Sequence, residues 1–218
     1  MGKKKSGKLA ADQFRVTTRR IRDYLDEIDG ASFTDQAVTW AYESALIKTS
    51  VAFEKLMLEC LVVALNKNTQ PFSEVTGTTF PKHLNQKVCE YLITGGGYFD
   101  FKGRGALIGD MKKITGDPHY LLGAVGKDRY YHSLELLFSL RNYAAHESPQ
   151  SKEKVRATIF CSRKRIKNPK SNQQHAADFA KAKAPTSAGA WLKRQNRLRK
   201  ILDDLEALAG EIHAGAPH

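Results

Sequence analysis

Residues 129–148 read RYYHSLELLFSLRNYAAHES and hold the clearest amphipathic pattern of the chain. Apolar side chains recur there at helical spacing, at Tyr130, Leu134, Leu137, Phe138 and Leu140. This period predicts a helix over 129–146 with one apolar face. Ser148 and Pro149 should end the helix, because the residue before a proline disfavours helical backbone.

Two longer helices are predicted before this one. Apolar residues at helical spacing indicate a first helix over 12–28. A second should begin at Thr34 or Asp35, which can cap it, and run toward Asn66. Such a helix would span about 50 Å unless it breaks near 49–50.

Shorter elements are predicted between these helices. The polar stretch 66–79 is predicted to be a loop, and Pro81 to begin a helix that contains HLNQKVCEYLI. Another short helix is expected over 106–114, followed by a loop over 116–128.

One stretch, TGGGYFDFKGRG over 94–105, is rich in both glycine and aromatic residues. It lacks the GxxxxGK[ST] spacing of a phosphate-binding loop, and no apolar strand precedes it. It is predicted to be a turn that Tyr98, Phe99 and Phe101 hold against the core.

The last third of the chain is less regular. Residues 151–161 are compatible with a helix or a short strand, and 164–188 are predicted to be a flexible basic loop. A final helix over 188–213 should carry an apolar seam that Arg194 interrupts, made of Trp191, Leu198, Ile201, Leu205, Leu208 and Ile212. The seam could pair with a partner helix or pack on its own domain.

No segment shows a strong strand pattern, so the predicted fold class is all-α. We expect a disordered basic leader over 1–11, a helical bundle over 12–150, a basic and partly flexible segment over 151–187, and a C-terminal amphipathic helix over 188–213.

The composition excludes several classes of protein. The chain has 218 residues, 41% of them hydrophobic, which favours one globular domain with appendages. No apolar run approaches the roughly 18 residues of a membrane span, and the start MGKKKSGK has no secretory apolar region. Three widely spaced cysteines form no disulfide framework or zinc motif, and Cys60 and Cys89 are expected in helix cores. A cytoplasmic protein without membrane partners is therefore predicted.

The net charge of +12 is concentrated in one segment. Residues 151–200 carry fifteen Lys and Arg residues against two acidic residues, Glu153 and Asp178. Such density favours a polyanionic partner, most commonly nucleic acid, although a solvated basic tail is the plainer alternative. The candidate phosphate contacts are Arg163, Lys164, Arg165, Lys167, Lys170, Arg194 and Arg197.

The candidate catalytic residues lie at the end of the predicted helix, at Arg141, Asn142 and His146. Arginine offers a fork of donors to a phosphate, histidine titrates near neutrality, and asparagine can hold an oxygen or orient the imidazole. The set suits phosphodiester chemistry and needs neither a metal ion nor another cofactor. On one straight helix, however, Arg141 lies about 140° round from His146. Convergence then needs an unwound helix end, a long arginine reaching round, or a second copy of the helix. The structural alternative is a capping arginine with a histidine favoured by the helix dipole.

The pattern RN-x3-H at the end of an amphipathic helix resembles the HEPN superfamily (higher eukaryotes and prokaryotes nucleotide-binding). Phe53 and Glu54, in the apolar stretch SVAFEKLMLECLVVAL, match an aromatic–Glu pair that many members carry. The resemblance covers roughly 35–150, and FPKHLNQKVCEYL with the YFDF loop is similar to the prokaryotic RiboL-PSP-type branch. It implies a bundle of four or five helices that dimerises with the motif helices facing each other.

The resemblance also implies a function, a metal-independent endoribonuclease that leaves 2′,3′-cyclic phosphate ends. Arg141 would bind the scissile phosphate, His146 would act as base or acid, Asn142 would orient the pair, and Glu54 would restrain Arg141 or His146. A prokaryotic toxin or antiviral role follows, with RNA as substrate and an antitoxin or defence-system protein as a further partner. Ser148 stands where one toxin branch has a modified tyrosine, which argues against regulation of that kind. The rivals are a non-catalytic HEPN module that binds nucleic acid or protein, and a basic helical DNA-binding protein.

Overall fold

The computed structural model describes residues 6–166 and 186–217, with the backbone alone over 161–166. This part of the chain is all-helical and contains no strand, so the predicted all-α class is confirmed. The α-helices are α1 (Gly7–Gly30), α2 (Asp35–Lys67), α3 (Gln70–Thr76), α4 (Gln86–Thr94), α5 (Arg104–Thr115), α6 (Tyr120–Val125), α7 (Tyr131–His146), α8 (Pro149–Ile166), α9 (Ala188–Leu192) and α10 (Arg197–Gly215). Single 3₁₀ turns, Asp128–Tyr130 and Arg194–Asn196, precede α7 and α10.

The helices group into two compact units. The first comprises Met1–Arg15, Ala52–Gly126 and Leu208–His218, and the second Val16–Val51 and Lys127–Ala207. The long helices α1, α2 and α10 each contribute to both units.

The first unit is centred on three aromatic side chains. The ring of Phe53 lies 6.3 Å from that of Phe14 and 5.0 Å from that of Phe101, both edge to face. Each such contact stabilises the fold by about 0.5–1.5 kcal/mol beyond the effect of burying the apolar surface. Cys60 and Cys89 are buried in this unit, as predicted, and burial raises the pKa of the Cys60 thiol to about 12. The Cys60 thiol is therefore a core group, protonated at neutral pH.

In the second unit α7 packs against α8, and ion pairs connect side chains at the surface. Arg199 contacts Asp26 and Asp29, each at 2.8 Å. Asp29 also accepts a 2.8 Å hydrogen bond from the buried Tyr42 hydroxyl. At Gly189 the helix α9 lies so close to α2 that an added Cβ would stand 2.0 Å from the carbonyl oxygen of Thr39. Only glycine allows this approach.

The long second helix is confirmed from Asp35 to Lys67, and it does not break near 49–50. The Thr34 hydroxyl caps it by accepting the N–H of Ala37 at 3.2 Å. The apolar seam of the last helix is buried within the chain, which favours packing on its own domain over pairing with a partner.

The prediction of a disordered leader over 1–11 is wrong for the second half of that stretch. Helix α1 begins at Gly7, and Ala10 and Ala11 are buried. The hydroxyl of Ser6 accepts the N–H of Leu9 at 3.1 Å, which satisfies a donor of the first turn. The lysine-rich start of the sequence favoured disorder, although Ala10 and Ala11 belong to the core.

Both predicted loops contain a short helix. Residues 70–76 form α3, with Pro71 in its first turn, and 120–125 form α6, with His119 as its cap. The helix expected from Pro81 begins instead at Gln86, because the Asn85 side chain accepts the N–H of Lys87 and caps it. Helices of one or two turns show too little periodicity to be distinguished from loops.

The last predicted helix, 188–213, is broken into α9 and α10. Gln195 and Asn196 adopt left-handed backbone conformations, with φ of 56° and 55°. This conformation is uncommon outside glycine, so the break could not be predicted from the residue types at these positions. Residues 151–161 belong to the helix α8, which resolves the choice between helix and strand.

Only some of the aromatic residues in the glycine-rich turn pack against the core. Phe101 is buried as predicted, whereas Phe99 is half-buried and Tyr98 is 99% exposed. The prediction for Tyr98 is therefore wrong.

Candidate functional site at the end of α7

Helix α7 holds its motif by burying the opposite face. Leu134, Leu137 and Leu140 are fully buried, as is Tyr130 just before the helix, while Phe138 is half-buried. The helix stays regular through His146 and ends at Glu147, whose φ is 46° and whose N–H bonds the Tyr143 carbonyl at 2.9 Å. An unwound end before His146 therefore does not bring the motif residues together.

Arg141 and Asn142 do contact each other. The Nη1 atom of Arg141 donates to Oδ1 of Asn142 at 2.9 Å, and both side chains are half-buried. On the regular helix Asn142 lies about 40° round the axis from His146, whereas Arg141 lies about 140° from it.

His146 is exposed at the last position of α7. Its ring has no hydrogen-bond partner among residues 6–160 and 186–217. The ring is thus accessible to a ligand. Arg141 and Asn142 form one contact, with His146 beside it on the same helix.

Tyr143 fixes this end of the helix and was not among the predicted residues. Its buried hydroxyl donates to the carbonyl oxygen of Thr186 at 2.7 Å. Burial, with the charges of Glu147 and Glu43, raises the pKa of Tyr143. Tyrosine inside the motif was visible in the sequence, but its partner 43 residues away was not.

Two basic residues of α8 stand along α7 and were also missed. The Lys154 ammonium lies 4.0 Å above the centroid of the Phe138 ring. Arg156 forms a 3.6 Å ion pair with Glu153, and its charge acts on Tyr143. Both are among the basic residues counted from 151 onward, but neither was predicted to be a site residue. The described start of the basic segment therefore runs beside the motif helix.

The predicted phosphate contacts have different outcomes. The backbone of Arg163, Lys164 and Arg165 continues α8, Arg194 is exposed, and Lys167 and Lys170 lie outside the described residues. Arg197 is only 6% exposed. Its guanidinium donates to the Trp191 carbonyl at 3.0 Å and to Gln195 Oε1 at 2.9 Å, and stacks 4.5 Å from the Trp191 ring centroid. Its assignment to nucleic acid is wrong, because its own chain holds it.

Glu54 lies in the first unit, on α2. Its half-buried carboxylate accepts a hydrogen bond from the N–H of Phe101 at 3.3 Å. This bond ties the glycine-rich turn to the core. A restraining role toward Arg141 or His146 stays a prediction.

Within the described residues, no group of three or more His, Cys, Asp and Glu side chains is placed to hold a metal ion. None of the described helices is both long enough and apolar enough to span a membrane. Comparison of the chain with protein-family models, with curated proteins and with solved structures finds no match.

Proposed function

We propose that this protein is a metal-independent endoribonuclease of the HEPN type. The observation that carries the proposal is the 2.9 Å contact of Arg141 with Asn142, made beside an accessible His146 at a regular helix end. Arg141 supplies a permanent cation, Asn142 a neutral donor–acceptor and His146 an accessible ring within the last two turns of one helix. Basic side chains of α8, which packs along α7, favour a polyanionic substrate.

The reaction follows from these three groups. His146 accepts the proton of a ribose 2′-hydroxyl as its oxygen attacks the adjacent phosphorus. The bond from phosphorus to the 5′-oxygen breaks, and that oxygen leaves with a proton supplied by a histidine or by water. Arg141 stabilises the negative charge that grows on the phosphate, and Asn142 holds the guanidinium in place. The products are a 2′,3′-cyclic phosphate and a 5′-hydroxyl.

A homodimer completes the proposal. Because α7 is regular, Arg141 and His146 of one chain lie about 140° apart around the helix axis. A second α7 facing the first would bring the Arg141 of one chain and the His146 of the other to the same phosphate. Mixing inactive Arg141→Ala and His146→Ala chains should then restore cleavage, whereas a site complete within each chain would give no recovery.

The biological role proposed with this activity is that of a prokaryotic toxin or antiviral effector in the cytoplasm. RNA cleavage in such a role arrests growth, so an antitoxin or sensor protein would hold it in check. The support is the HEPN resemblance of residues 35–150, here of the RiboL-PSP type.

RNA cleavage in the presence of EDTA tests the proposal. Wild-type protein should cleave RNA and leave DNA of the same sequence intact, because DNA lacks the attacking hydroxyl. His146→Ala should abolish cleavage. His83→Ala is the matched control, since His83 is also exposed but lies outside the motif and bonds the Asn66 carbonyl at 3.2 Å.

A non-catalytic module that clamps RNA phosphates is the second candidate. It is favoured by one observation: Arg141 bonds Asn142, whereas neither side chain is hydrogen-bonded to His146. Binding of RNA by wild type and His146→Ala alike, without cleavage by either, would replace the nuclease with this module.

A further inference from the structure

The first unit contains an open cavity of about 310 Å³ that the proposed reaction does not use. It lies between the end of α4, the glycine-rich turn and α5, with Phe72 of α3 on one side. Its volume is at the lower end of the range for small-molecule sites. Aromatic rings line one part of it, and charged side chains line another.

Tyr98 at the rim of this cavity is unusual among the aromatic residues. It is 99% exposed, so its ring contributes almost nothing to the core. The turn that carries it depends on Gly96, which has a φ of 81° and whose added Cβ would lie 2.8 Å from the Tyr91 ring. Phe101, three residues after Tyr98, is buried, and its N–H donates a hydrogen bond to the Glu54 carboxylate. An anchored turn therefore presents an exposed ring at the rim of a cavity that Phe99 and Phe72 also line.

The charged lining has both signs. Lys113 pairs with Asp110 at 3.4 Å. Lys102 and Asp100 are exposed on the turn, and neither has an ion-pair partner within the described residues. Lys102 can bind a phosphate, and the Asp100 carboxylate can accept hydrogen bonds only. A ligand that combines an anionic group, a flat ring and hydrogen-bond donors would match Lys102, the aromatic lining and Asp100.

We propose that this cavity binds a single unstacked nucleotide of RNA. The base stacks on the aromatic lining, the phosphate contacts Lys102, and an exocyclic amino group of the base donates to Asp100. Aromatic rings with lysines are the usual means of holding single-stranded nucleic acid. The choice of a ribonucleotide rests on the proposed function, whereas the pairing of ring, phosphate and amino group rests on the lining itself.

The acid predicts a base preference. Adenine, guanine and cytosine carry an exocyclic amino donor, whereas uracil presents two carbonyl acceptors and one ring N–H. Asp100 should therefore disfavour uracil. Asp100→Ala should reduce the preference for AMP over UMP to the part that comes from stacking of the larger purine ring, while AMP continues to bind.

Calorimetric titration of the full chain with AMP, adenosine and UMP tests the proposal. AMP should bind more tightly than adenosine, and Lys102→Ala should weaken AMP to about the affinity of adenosine without changing adenosine itself. Tyr98→Ala should weaken both ligands about tenfold, since stacking on one ring is worth roughly 1–3 kcal/mol per base, and Tyr98→Phe should retain them. Lys112→Ala is the charge control, because Lys112 lies on α5, pairs with Asp117 at 3.2 Å and does not line the cavity.

Two results would overturn the proposal: no binding of AMP at millimolar concentration, or AMP binding that survives both Lys102→Ala and Tyr98→Ala unchanged. The nuclease and the nucleotide site can fail separately. A protein that binds AMP with the predicted pattern but cleaves no RNA would support the site against the nuclease. Cleavage without AMP binding would support the nuclease against the site.

Discussion

Arg141 at the end of α7 and Arg197 at the start of α10 are two arginines for which the sequence predicted the same partner, RNA. Arg197 is buried, gives two hydrogen bonds to its own chain and stacks on Trp191. Burial, with the nearby charge of Arg194, lowers the pKa of Arg197. Arg141 is half-buried and bonds only the neighbouring Asn142 among the described residues.

The difference lies in how accessible each guanidinium is. Arginine has five N–H donors in a fixed fork. Arg197 is buried, gives two hydrogen bonds to its own chain and leaves its buried Nε without a partner among the described residues, so it acts within the fold. Arg141 gives one hydrogen bond and is only half-buried, so the rest of its fork can meet a phosphate. The sequence does not show burial, so the distinction appears only when the surroundings of each residue are known.

The largest effect is expected from Arg141→Ala. It should lower kcat/KM for RNA cleavage by about 10²–10³, because the charge on the phosphate loses its main stabilising group. The melting temperature should stay within a degree or two, since no core contact is lost. Steady-state cleavage and thermal unfolding measure the two quantities. Arg20→Ala, at an exposed position of α1, serves as control, and equal losses in both variants would contradict the role of Arg141.

Arg197→Ala should have the opposite profile. Loss of its buried hydrogen bond to Trp191, its half-buried one to Gln195 and its stacking on Trp191 should lower the free energy of unfolding by about 2–4 kcal/mol. Urea unfolding measures this, and RNA affinity of the folded protein should not change. The exposed Arg194 is the matched control. Arg194→Ala should leave stability within about 0.5 kcal/mol and reduce the salt dependence of RNA binding by about one phosphate contact. A stable Arg197→Ala with weak RNA binding would reverse the comparison.

A third prediction concerns pH and the packing next to α10. Burial, with the hydrogen bond and charge of Asp29, raises the pKa of Tyr42 from 10.0 to about 12. Between these values the unfolded chain loses the phenolic proton while the folded chain keeps it, so the free energy of unfolding falls as pH rises from 10 to 12. The fall from this group should be at most about 3 kcal/mol. Tyr42→Phe should remove part of the slope in urea unfolding, and Tyr91→Phe, at an exposed position, should not. An identical slope in Tyr42→Phe would contradict the assignment.

The smallest effect is expected at Tyr143, where the end of α7 is anchored. Tyr143→Phe removes the hydrogen bond to the Thr186 carbonyl and should cost about 1 kcal/mol of unfolding free energy. Because Arg141 and Asn142 keep their contact, cleavage should fall much less than in Arg141→Ala. Chemical unfolding and the cleavage rate provide the measurements, with the exposed Tyr24→Phe as control. A loss of cleavage equal to that of Arg141→Ala would place Tyr143 in the reaction.

The sequence predicted those elements that depend on long periodic patterns. Helix α2, helix α7 and the buried seam of the last helices follow from apolar residues repeated over several turns. The break at Gln195 and Asn196 could not be predicted, because left-handed backbone at two non-glycine residues is imposed by tertiary packing. Helices α3 and α6 are too short to show a period.

The candidate site was predictable in composition but not in contacts. Arg141, Asn142 and His146 could be named from their spacing, and their helix ends as expected. The bond between Arg141 and Asn142, the anchor at Tyr143 and the lysine over Phe138 depend on rotamers and on distant segments. The cavity beside the glycine-rich turn was missed for the same reason, since α3, α4 and α5 must assemble before it exists.

The central claim is that the end of α7 cleaves RNA through a 2′-hydroxyl and His146. The most direct measurement compares an RNA with the same RNA in which the single 2′-hydroxyl beside the mapped cleavage site is replaced by hydrogen, in EDTA. The account predicts that wild type cleaves the first RNA to a 2′,3′-cyclic phosphate, leaves the substituted bond intact, and that His146→Ala cleaves neither. Cleavage of the substituted bond by wild type, or equal cleavage of the first RNA by His146→Ala, would contradict it.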